Sequence, residues 1–101
     1  MKKFSYADLS TAHVSRADMQ KIEAQGEGRR EGLRVVFTVY EYSEGAFLPL
    51  INEPCFAEEL KSAGMSKGFI ALCKKLMKQG FTMLRLDCDG EVDKGLRVFD
   101  W

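Results

Sequence analysis

Three side chains suited to acid–base or metal chemistry sit beside what read as strand ends. His13 is the sole histidine, and Asp87 and Asp89 flank Cys88 in the run Asp87-Cys88-Asp89-Gly90. An imidazole exchanges protons near neutral pH, so His13 is a candidate general base, with Asp87 to orient its ring. Two carboxylates this close are also candidate ligands for a hard cation such as Mg²⁺. Joining His13 to the carboxylates requires the first and last strands to be parallel neighbours, so that both loops share one rim of an open sheet. The structural reading weighs more. A histidine next to a helix cap usually serves as a loop hydrogen bonder, and Asp-x-Asp-Gly is a common turn after a strand.

Two charged groups offer binding rather than catalysis. Arg29, Arg30 and Arg34 form a basic cluster, and Asp87, Asp89, Glu91 and Asp93 an acidic one. With the aromatics Tyr40, Tyr42 and Phe47, the arginines make a candidate partner-binding surface through electrostatic complementarity. Lys plus Arg equals Asp plus Glu, at 15 each, so the chain lacks the basic excess of a dedicated nucleic-acid binder. Neutrality is compatible with self-association. The cysteines 55, 73 and 88 are odd in number and have no C-x-x-C spacing, which fits free thiols in a reducing, cytoplasmic compartment. Cys73 falls on an apolar helical stripe and reads as core. Cys88, between two carboxylates, should be a dull nucleophile. No Walker loop, dinucleotide fingerprint or glycine elbow is present, and no cofactor is expected. No apolar run approaches the ~20 residues of a membrane span.

The elements that must position these groups read as β-α-β-β-α-α-β. A first strand is expected over Lys3–Leu9. Ser15 is a natural N-cap, with Asp18 three residues on, and Gly26 a natural stop, which predicts a helix over Arg16–Gln25. Leu33–Tyr42, dense in β-branched and aromatic residues, reads as a central strand. Ser43-Glu44-Gly45 reads as a three-residue hairpin loop with Gly45 left-handed. Ala46–Ile51 returns, at a sheet edge because of Pro49. Pro54 opens a short helix closed by Gly64, and Ser66 caps a second over Lys67–Gln79. Phe81–Cys88 is the last strand. Leu96–Trp101 is a further short strand or a docked segment, with Trp101 packed on the body. At 101 residues this is one α+β domain, a two-layer sandwich that resembles the split βαβ, ferredoxin-like arrangement.

Ser10-Thr11-Ala12-His13, the run Leu86 to Val92, and the closing Phe99-Asp100-Trp101 together resemble a family of short bacterial proteins. It is a domain of unknown function met on plasmids and other mobile elements. The resemblance implies a bacterial, cytosolic accessory protein and transfers no site. Asp-x-Asp-Gly alone also resembles the start of haloacid-dehalogenase-type phosphatases, but too little chain follows it to complete such a site. The reading favoured is a non-enzymatic protein-interaction or inhibitor module with an unidentified protein partner. The alternatives are a small hydrolase or metal-dependent phosphoesterase using His13, Asp87 and Asp89, and a weak nucleic-acid binder using the arginines.

Overall fold

The computed structural model describes residues 1, 3–51 and 53–100; the expectation for Trp101 lies outside the described residues. The elements are β1 (Tyr6–Ser10), a 3-10 turn (Thr11–His13), α1 (Arg16–Arg30), β2 (Tyr40–Tyr42), β3 (Gly45–Pro49), α2 (Pro54–Ser62), α3 (Lys67–Lys78) and β4 (Met83–Asp87). They form an α+β fold with a mixed four-stranded sheet in the order β1-β4-β3-β2. β1 runs parallel to β4, and the other pairs are antiparallel. The ferredoxin-like expectation is thereby corrected, since that arrangement does not make the first and last strands parallel neighbours. The helical stretch α2–α3 is long enough to carry the chain from β3 back to a β4 that lies between β1 and β3.

Period-two alternation decides which residues meet the helices. Ala7, Leu9, Ala46, Leu48, Leu84 and Leu86 form the inner face and join one buried cluster with Met19 and Ile22 of α1, Phe56 and Leu60 of α2, and Phe69, Leu72, Cys73 and Leu76 of α3. Every helix therefore buries its apolar stripe against the same side of the sheet. The opposite side carries Tyr6, Asp8, Phe47, Arg85 and Asp87, and no helix contributes to it from the buried cluster.

Capping residues fix the helices where the sequence suggests. The Ser15 hydroxyl accepts from the Asp18 N–H at 3.2 Å, and the Ser66 hydroxyl from the Phe69 N–H at 3.1 Å. The Asp18 carboxylate is 2 % exposed and accepts from the Ser66 N–H at 2.9 Å and the Ser66 hydroxyl at 2.5 Å, so it ties the start of α1 to the start of α3.

Three segments depart from expectation. α1 does not stop at Gly26 but runs to Arg30. Gly26 serves close packing instead, because a Cβ there would collide with the Glu41 side chain. The reversal falls at Gly32, at a φ of 74°. The expected central strand shrinks to Tyr40–Tyr42 and lies at the edge. The preceding stretch has its Val36 and Phe37 N–H groups held by the Gln25 side-chain carbonyl, at 2.7 and 3.3 Å, rather than by a neighbouring strand.

β3 is interior rather than at the edge. The Leu50 N–H bonds Thr82 on the β4 side, so by alternation the Pro49 nitrogen faces β2, whose pairing has already ended at Tyr40–Phe47. No ladder bond is lost there. The hairpin loop is Ser43-Glu44, and Gly45 is not left-handed. A side chain at Gly45 would run into the Leu86 carbonyl of the adjacent strand, which is why glycine stands there.

Candidate functional site

The parallel β1–β4 pair sets Ser10 beside Asp87 and places the 3-10 turn next to the loop after β4. His13 and Asp87 nevertheless turn to different tasks. His13 is 5 % exposed, and both ring nitrogens engage backbone. Nδ1 lies 2.8 Å from the Arg97 carbonyl, and Nε2 accepts from the Asp93 N–H at 2.8 Å. An acceptor at Nε2 and a carbonyl at Nδ1 require the neutral ring protonated on Nδ1. No lone pair is left for a substrate proton. Two further bonds pin the same tail, from the Ser10 N–H to the Glu91 carbonyl and from the Phe99 N–H to the Ala12 carbonyl, each 2.8 Å. The tail is a docked segment without strand structure through residue 100. A cavity of about 250 Å³ beside His13 is lined by Val14, Phe69, Leu72, Leu96 and Phe99, with Asp18 as its carboxylate and Asp87 absent from its wall.

Asp87 belongs to the helix-free side of the sheet. Its Oδ2 accepts from the Tyr42 hydroxyl at 2.5 Å and from Arg85 at 3.1 Å, and its Oδ1 from the Asp89 N–H at 2.8 Å. Arg85 also donates to the Tyr42 oxygen at 3.0 Å and lies 3.6 Å from Asp8. The Tyr42 hydroxyl, then the Asp89 N–H, hold the Asp87 carboxyl below the usual carboxylate range. Burial, followed by the Asp87 bond, pushes the Tyr42 hydroxyl up. The Tyr42 bond leads the causes that raise Arg85.

Asp87, Cys88 and Asp89 bring one ligand atom each to within 4.8 Å of one another. Asp87 already accepts three hydrogen bonds, two of them on Oδ2, and a guanidinium sits against it. Burial, then the neighbouring carboxylates, raise the Cys88 thiol. Burial pushes Cys73 up to about 12, in keeping with a core thiol.

Around this polar centre lie the aromatics. Phe47 meets Tyr42 at 5.4 Å and Tyr6 at 6.4 Å between ring centroids. Arg85 stands 5.7 Å from the Tyr42 ring and 5.9 Å from the Phe47 ring. Tyr40 pairs with Phe47 across the hairpin, and Arg29 of α1 sits 4.6 Å over its ring. Of the expected binding residues, Tyr40, Tyr42 and Phe47 therefore share one surface. Arg29 is engaged twice, because its Nε also donates to the Val39 carbonyl at 2.8 Å. Arg30 pairs with Glu41 at 2.9 Å, and Arg34 lines a separate cavity with Val35, Val36, Glu59 and Ser62. Tyr6, Asp8 and Arg85 complete the surface and were missed in the sequence. The alternation Leu84-Arg85-Leu86-Asp87 was the signal that could have found Arg85.

The chain belongs to a family of unknown function (DUF5983): residues 6–101 match the model of that family's C-terminal domain. No curated protein matches the chain, and no solved structure does.

Proposed function

We propose that this domain is a non-enzymatic protein-interaction module whose recognition surface is the helix-free side of the sheet. One observation carries the reading. A connected set of polar and aromatic side chains, Asp8, Tyr42, Arg85 and Asp87 with Tyr6 and Phe47, lies on the side of the sheet away from the helical core, and Tyr40 beside it carries Arg29 of α1 over its ring. Tyrosines and arginines so arranged combine apolar area with hydrogen-bonding tips at low entropic cost, as interface centres do. Its ionisable groups are engaged within the protein, His13 with the tail and Asp87 in three hydrogen bonds, which supports binding over catalysis. A bacterial, mobile-element setting belongs to the same proposal and draws on the motif resemblance; the free thiols support a cytoplasmic one.

The test is photo-crosslinking in the host with benzoylphenylalanine at Tyr40 or Tyr6, and at Lys61 on α2 as a control. A discrete protein adduct from the two sheet positions and none from Lys61 is expected. Adducts from Lys61 alone, or none anywhere, would sink the reading.

A further inference from the structure

The free edge of β1 names the kind of partner, and this step rests on the interaction-module reading. β1 is an outer strand of the sheet. Backbone groups point alternately to the two sides of a strand. The Ser5 carbonyl accepts from the Thr82 N–H at 2.9 Å, and so faces the side on which β4 lies. The Ser10 N–H turns the other way, to the Glu91 carbonyl at 2.8 Å. By alternation Ala7 and Leu9 face β4, while Tyr6 and Asp8 present N–H and C=O outward. Among the described residues no backbone group pairs with these outward groups. The chain's own tail thus makes one rung on this edge, at Ser10, and leaves the next two outward-facing residues open.

Beside the edge lies a cavity of about 380 Å³ between β1, the end of α3 and the tail. Leu76, Phe81 and Leu96 give it apolar walls, and Lys75, Glu91 and Asp93 are also in its lining. A strand added to β1 sends alternate side chains into this cavity and the others over the open side, next to Asp8. Asp8 has its Oδ1 buried with no hydrogen-bond partner. Asp8 already has Arg85 at 3.6 Å, but Glu91 and Asp93 with Asp8 still outweigh Lys75 and Arg85, so the complement is basic. A second copy of β1 is the poorer match, since Tyr6–Ser10 carries Asp8 and no basic residue.

We propose that the β1 edge from Tyr6 to Asp8 docks an extended peptide of alternating basic and apolar residues as an added strand. The probe is acetyl-Lys-Val-Lys-Val-Lys-Val-amide, titrated into the ¹⁵N-labelled full chain, with the same peptide methylated at every backbone nitrogen as control. Expected are chemical-shift changes at the Tyr6 and Asp8 amides and exchange of those two amides slowed by about 10-fold or more at saturation. The methylated peptide should leave both unchanged. Equal shifts with both peptides, or none up to about 1 mM, would overturn the edge site. So would protection of these amides that grows with protein concentration alone, which assigns the edge to a second copy. Shifts at Tyr40, Tyr42 and Phe47 with a silent edge overturn it too, yet leave the interaction-module reading standing. Edge shifts together with failed crosslinking would do the reverse.

Discussion

The two sides of the sheet use neighbouring residues of the same strands for opposite ends. Leu48 and Leu84 on the inner side are fully buried in one cluster with apolar side chains from all three helices. Phe47 and Arg85, one position away, stay half-buried and pack against each other. Apolar burial is non-directional and tolerates any shape that fills the space, whereas the outer side depends on directed bonds. The inner side is where stability should concentrate, and the outer side where recognition should. Replacing Leu48 by Ala should cost about 2–5 kcal/mol in urea unfolding, through lost transfer energy and a cavity. Phe47→Ala should cost less, about 1–2 kcal/mol, from the transfer energy of a half-buried ring and its aromatic contacts. Equal losses would erase the distinction.

His13 is the intermediate case, a buried polar group that holds the tail rather than the sheet. His13→Ala removes the partner of the Asp93 N–H and of the Arg97 carbonyl. The expected cost is about 1–3 kcal/mol, the scale of two net hydrogen bonds. Amide exchange should accelerate at Asp93 and Phe99 while the β3–β4 amides keep their protection. Loss spread evenly over the sheet would mean that the tail is part of the core.

The outer network makes a pH prediction. The Tyr42 hydroxyl is the leading cause of the lowered Asp87 carboxyl. A group lowered in the folded state contributes stability that is present above its ordinary range and lost as pH falls through the folded value. Tyr42→Phe removes that bond, so the variant should be less stable than the parent near neutral pH. The gap should narrow as the pH falls below about 4. Urea midpoints at several pH values measure it. A gap that is constant across pH would show that Tyr42 acts through packing and not through Asp87.

How much of this the sequence disclosed follows from the range of each signal. The Ser15 and Ser66 caps, the α3 stripe and the turn at Asp87–Gly90 are local, and they stand where the sequence suggests. β2 is the opposite case. Leu33–Tyr42 has the composition of a strand, yet the Gln25 amide and burial of Phe37 and Val39 in the core hold most of it outside the sheet. Composition cannot tell apolar residues that cap a core from those that cross it. Pro49 misled for a related reason. Its missing N–H excludes only one side of a strand, and β2 is too short to reach that side. Asp87 was singled out for chemistry; its partner Arg85 lies two residues earlier on the same face of β4, but Tyr42 comes from pairing register, which no local pattern encodes.

The smallest effect separates structure from recognition at the β2 edge, where α1 meets the hairpin. Arg30 and Glu41 pair at 2.9 Å, but the Arg30 side chain is 58 % exposed. Water screens such a pair, and fixing a long side chain opposes it, so Arg30→Ala should cost about 0.5 kcal/mol or less. Arg29 differs, because it donates to the Val39 carbonyl and covers the Tyr40 ring. Arg29→Ala should cost about 1 kcal/mol, the scale of one hydrogen bond to a charged donor with part of its strength lost to solvent. Urea unfolding of both variants orders them. The consequence reaches the crosslinking experiment. A partner adduct from Tyr40 that disappears in Arg30→Ala, with the urea midpoint unchanged, puts that guanidinium in the interface. The same disappearance in Arg29→Ala alone reports a displaced Tyr40 ring.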